Sequence, residues 1–187
     1  MAAHQDTKQT KRERSQQRRE QAQRKKSAKR IVWGLIAVMI AALAIYALAH
    51  RQPLPGEKVD VMKDQSHIPD VNSPHIPYHT DPPTSGQHLP YIAQWGVHKE
   101  PLPKELLVHN LEDGGVVIYY SSQAGASDVQ KLEQIVDQYP EHVLVNPYPE
   151  MKNPITLTAW GRMMRLDQFD EKSIQSFIRA FQGIDHH

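Results

Sequence analysis

The sequence predicts an α+β domain with a single mixed sheet and two packed helices, preceded by one transmembrane helix and a long Pro/His-rich irregular segment. Three observations carry this reading. Residues 31–49 (IVWGLIAVMIAALAIYALA) are apolar and uncharged. Eight prolines fall between residues 57 and 105. After Leu106, short β-branched runs alternate with segments of helical periodicity.

The apolar run follows a head in which eleven Lys/Arg face three acids over residues 1–30. At 1.5 Å per residue it is long enough to cross a hydrocarbon core of about 30 Å as one helix. A helix satisfies its own backbone polar groups, as lipid requires. The positive-inside rule places the basic tail, 1–30, in the cytoplasm and the rest outside the cell membrane. The run exceeds the h-region of a signal peptide, about 7–15 residues, so a retained single-pass anchor is expected although Ala47-Leu48-Ala49 resembles a cleavage site. The tail has too few apolar residues to fold alone.

Residues 50–60 read as a juxtamembrane linker and 61–184 as the outer domain. Beyond residue 49, eleven Lys/Arg face eighteen Asp/Glu, a net charge of −7 with His neutral. An acidic domain is a poor partner for nucleic acid or anionic lipid. The absence of Cys excludes disulfides, thiol redox chemistry and Cys metal ligands. No Gly-rich phosphate loop is present.

Prolines at 69, 74, 77, 82, 83, 90, 101 and 103 forbid a long helix or a central strand over 57–105. An ordered, irregular segment laid over a sheet is expected. LLVHNL (106–111) reads as a short extended run, and Asp113-Gly114 as a hairpin turn into VVIYY. Ser127 is a candidate N-cap for a helix whose face carries Val129, Leu132, Ile135, Val136 and Tyr139. Residues 142–145 and 155–160 read as strands, and 162–166 as a continuation or bulge of the second. Asp170 caps a last helix with Ile174, Phe177, Ile178 and Phe181 on one face, and Gly183 ends it. The order β-β-α-β-β-α suggests a mixed sheet, with part of a thioredoxin-type layout as fold analogy only.

Ten of the eleven histidines follow the apolar run. Imidazole ligates metals and titrates near neutrality. The run Pro82-Pro83-Thr84-Ser85-Gly86-Gln87-His88, Trp95-Gly96 and the stretch from Val108 to Val117 (VHNLEDGGVV) resemble the uncharacterised DUF3105 family. Its pattern is close to PPTSGxH…WG…HNLEHGGVV. Asn146-Pro147-Tyr148-Pro149 and the run from Leu157 to Arg162 (LTAWGR) extend the likeness. The resemblance implies an extracytoplasmic domain behind one membrane helix, with recurring histidines at His67, His88 and His109. Asp113 stands where the family has a second His.

The sharp hypothesis is a transition-metal site from His88, His109, Asp113 and His67, with Met163 or Met164 as a softer ligand. A His/Met set suits copper and a His/Asp set suits zinc. The plain alternative is that His and Pro order a loop, neutral His supplying one donor and one acceptor, within an envelope interaction module that meets a protein partner. His75, His79 and His98 are assigned to that alternative, and His186 and His187 to a frayed end. Trp95 and Trp160, each before Gly, are expected in the core. Glu112 and Asp113, read as neighbours on an extended chain, point to opposite faces and carry no paired-carboxylate chemistry. Ser85, His88 and Asp81 list a hydrolase triad but lack a nucleophile elbow.

Overall fold

The computed structural model describes residues 53–187 and, upstream, 32–46 with positions 29, 48 and 50. Residues 32–46 are helical. Among the described residues no helix is long and apolar enough to cross a membrane. The basic tail and the ends of the expected 31–49 span lie outside the described residues. Residues Leu54–His187 form a compact unit, described by itself below.

That unit contains β1 (Glu57–Lys58), β2 (Gly96–Val97), α1 (Lys104–Glu112), β3 (Val116–Tyr120), α2 (Ala126–Val136), β4 (Val143–Pro147), β5 (Ile155–Ala159), β6 (Arg162–Leu166) and α3 (Glu171–Phe181). The strands make one mixed sheet in the order β1-β6-β5-β3-β4-β2. β3 runs parallel to β4 and antiparallel to β5, with Ile118 opposite both Val145 and Leu157. β5 and β6 pair antiparallel across the turn at Gly161, whose φ is +62°.

The sheet is covered on both faces, which explains why β3 (VVIYY) is apolar at every position rather than alternating. On one face Val116 and Ile118 pack with Leu132, Ile135 and Val136 of α2 and Ile174, Phe177 and Ile178 of α3. On the other, Val117, Tyr119 and Leu144 pack with Leu107 and Leu111 of α1 and with Ala93 from the Pro-rich segment. That segment is otherwise irregular, as its prolines favour, and gives the sheet its two edge strands, β1 and β2. Asn110, buried in α1, ties it down: its side chain accepts the Ala93 N–H at 2.8 Å and donates to the Ala93 carbonyl at 3.0 Å. The crossover β3-α2-β4 is followed by the β5-β6 hairpin and α3, with no helix between β4 and β5 among the described residues.

Two expectations are corrected. Residues 106–111 are helical, not extended, and Asp113-Gly114 is the end of α1, not a hairpin turn. Residues 107–112 of this helix are all buried, so no polar stripe marks its period. Gly114 takes the left-handed conformation (φ +77°) that closes helices, and the Gly114 N–H donates to the Leu111 carbonyl at 3.2 Å. The compact unit therefore holds three helices among its described residues rather than two. The others follow the expected periods, although Gly125, not Ser127, is the N-cap of α2. The Asp170 carboxylate accepts the Ser173 N–H at the start of α3, as predicted. Residues 162–166 form a separate strand, β6.

Candidate metal centre

Two short backbone bonds build the floor of the site. Ile68 N–H donates to the His88 carbonyl at 2.8 Å, and His88 N–H to the Ser66 carbonyl at 3.3 Å. This parallel bridge sets His67 beside His88. Leu89 N–H then donates to the Glu105 carbonyl at the start of α1, and the Leu89 carbonyl accepts from His109 Nδ1 at 2.7 Å. The Pro-rich segment and α1 are thereby locked together. His109 and Glu112 stand three residues apart on α1, a spacing that puts both side chains on one helix face.

The result is a cluster of three rings and a carboxylate. Ring centroids are 5.0 Å apart for His67–His88, 5.2 Å for His67–His109 and 5.0 Å for His88–His109. One ligand atom from each of His67, His88, His109 and Glu112 lies within 4.8 Å of the others. This group can hold a metal ion.

The hydrogen bonds fix which nitrogens face inward. A carbonyl only accepts, so His88 Nδ1–H donates to the Gly86 carbonyl at 2.7 Å and His109 Nδ1–H to that of Leu89. With Nδ1–H committed in this way, the lone pair that either ring can offer a metal is the one on Nε2, the arrangement seen when a backbone carbonyl orients a metal-ligating His. Burial pushes the His88 pKa down, against the pull of the Gly86 carbonyl and of Glu112, so the ring is neutral at neutral pH. Its Nε2 is buried and has no hydrogen-bond partner among the described residues, although Glu112 Oε2 lies 3.0 Å away. The contact is at ion-pair distance without the alignment of a donated N–H. Two electron-rich atoms held that close, out of water, are relieved by a proton on either one or by a metal ion between them.

Glu112 sharpens the argument. Its side chain is 8% exposed and its ion-pair partners among the described residues are histidines, His88 and, at 3.7 Å, His187. A nearly buried carboxylate with no Lys or Arg is costly unless protonated or coordinated. Trp160 closes one side, its ring centroid 6.4 Å from that of His88.

The predicted residues divide. His67, His88 and His109 converge. Asp113 is not in that group; it joins His109 and His187 in a second one. Met163 is buried in β6, its carbonyl beneath Gly56, and Met164 packs against the α2/α3 core. Glu112 was missed, because an extended chain would send it away from His109 whereas α1 brings the two together. His75 pairs with Glu105 at 3.4 Å and His98 with the Gln94 carbonyl at 2.7 Å, the loop-ordering roles expected of them. Ser85 is buried, its hydroxyl accepting the Met62 N–H at 2.9 Å, so it serves the loop. Trp95 and Trp160 are partly buried against the second core face.

A cavity of about 320 Å³ is lined by Asp81, Glu150, Met151, Lys152, Asn153, Thr156 and Arg165 and by none of the four cluster residues.

No curated protein and no solved structure matches this chain. Residues 71–186, which include His88, His109 and Glu112, match the family described as "protein of unknown function (DUF3105)". The chain belongs to the DUF3105 family.

Proposed function

We propose that this protein is a single-pass membrane protein whose extracytoplasmic domain binds one transition-metal ion through His67, His88, His109 and Glu112. The observation that carries the reading is the buried, unpartnered Nε2 of His88 facing the Glu112 carboxylate. Three imidazoles and one carboxylate form a borderline N/O set that suits zinc in tetrahedral geometry. Cu(II) accepts the same donors and, by the Irving–Williams order, competes for them. His67 is exposed, so the site has a side open to solvent.

The anchor reading draws on the apolar run and on the helix within it. Val32, Trp33, Leu35, Val38, Met39, Ile40, Leu43, Ile45 and Tyr46 are all exposed, an apolar surface that lipid would cover. An envelope interaction module is the second reading. It draws on Val71, Ile76, Tyr91 and Ile92, exposed apolar residues of the same segment that carries His67 and His88.

One preparation tests the proposal. Membranes are washed in high salt, dissolved in detergent, and the full chain is purified without a polyhistidine tag for elemental analysis. The expected result is a chain that stays with the membranes through the wash and carries close to one ion. Recovery in the salt wash would remove the anchor. No ion after zinc and copper have been offered would remove the metal site and favour the interaction module.

A further inference from the structure

The segment after α3 folds back over the end of α1. Gly183 N–H donates to the Gly114 carbonyl at 2.7 Å and His186 N–H to the Glu112 carbonyl at 3.0 Å. The His186 ring stacks on Trp160, with centroids 5.9 Å apart. These contacts hold His187 at the rim of the site. Its Nε2 lies 2.7 Å from Asp113 Oδ1 and its Nδ1 3.7 Å from Glu112 Oε2. His109, Asp113 and His187 thereby form a second set of ligand atoms within 4.8 Å of one another.

The two sets differ in exposure. The side chains of Asp113 and His187 are 31% and 50% exposed, whereas those of His88 and Glu112 are 0% and 8% exposed. They also share a residue. His109 Nδ1–H is committed to the Leu89 carbonyl, so only Nε2 has a lone pair to offer. One lone pair holds one ion, and the sets therefore cannot both use His109 at once. His109 Nε2 lies 3.6 Å from Asp113 Oδ1, so an ion on the outer set already sits beside the ligand it shares with the inner set.

We propose that Asp113 and His187 form an entry and exit station that passes a divalent transition-metal ion to the inner site through His109. The proposal rests on the metal-binding reading above. A buried site must strip the ion of water, and an abrupt loss of hydration is costly. An outer set that exchanges water for ligands one at a time, keeping His109 bound while Asp113 and His187 give way to His88 and Glu112, spreads that cost. A station on the path lowers the barrier in both directions and leaves the end state unchanged.

The test uses the full chain in detergent, zinc alone as the probe, and a chromophoric chelator to follow uptake and release by stopped flow. In His187→Ala and in Asp113→Asn, both rates are expected to fall by about tenfold. Equilibrium affinity and a stoichiometry of one ion stay as in the wild type. Weaker affinity with unaltered uptake would make His187 a resident ligand and overturn the station. Two ions per wild-type chain would overturn it as well, and so would unchanged rates in both variants. Failure of the underlying reading looks different: wild type takes up no zinc, or His88→Ala binds zinc as wild type does.

Discussion

Alanine at position 88 is expected to weaken metal binding by two to three orders of magnitude. Structural zinc sites gain about 10–16 kcal/mol from four ligands, so each is worth about 2.5–4 kcal/mol. His88 contributes more than its nitrogen. Its backbone N–H and carbonyl pair with Ser66 and Ile68, and its Nδ1–H holds the Gly86 carbonyl. Alanine keeps the two backbone bonds and removes the ring, so the loop persists while the ligand goes. Competition titration against a chelator of known affinity measures the change. His98→Ala, which removes a ring bonded to the Gln94 carbonyl, is the control and leaves affinity unaltered. Glu112→Gln separates ligation from packing. It preserves shape and removes charge, so metal affinity falls while the metal-free domain, relieved of a nearly buried carboxylate, holds or gains stability.

Gly115→Ala is expected to destabilise the domain by about 3 kcal/mol, read from urea unfolding of metal-free protein. Gly115 N–H donates to the Asn110 carbonyl at 2.7 Å. A β-carbon there would sit 2.3 Å from that carbonyl oxygen and 2.8 Å from the Trp95 ring. Neither can retreat freely: Asn110 is buried and bonded twice to Ala93, and Trp95 packs against the α1 face of the sheet. The displacement falls on the last turn of α1, so the His109–Glu112 pair moves and metal affinity drops with stability. Gly125→Ser, at an N-cap with nothing within 4 Å of the added β-carbon, leaves stability equal or slightly improved.

β3, β4, β5 and the last two helices were legible, the strands from short β-branched runs and the helices from their apolar spacing. Ile174, Phe177, Ile178 and Phe181 mark α3, and the Asp170 cap marks its start. α1 was not, because a helix buried through 107–112 shows the same continuous apolar run as a buried strand. Signals for the helix were present: Glu105 in the first turn, Leu107 and Leu111 one turn apart, and Gly114 just past the end. Reading them would have placed His109 and Glu112 on one face. The histidine trio came from the family pattern, since spacings of 21 residues between His67 and His88, and again between His88 and His109, carry no geometry of their own. The convergence depends on backbone pairing between 66–68 and 86–89 that no local rule predicts. His187 was unreadable for the same reason. What ties its segment down is hydrogen bonding to Glu112 and Gly114, more than 65 residues earlier.

On the metal-binding reading, the Nε2 lone pairs of His88 and His109, the His67 ring and the Glu112 carboxylate close on one ion. X-ray absorption at the zinc edge of the loaded protein tests it most directly. The expected result is a four-coordinate shell at about 2.0–2.1 Å, three imidazoles giving multiple scattering and one light oxygen donor completing the shell, altered in Glu112→Gln. A shell of waters without imidazole scattering, or a wild-type spectrum unchanged by Glu112→Gln, would contradict it.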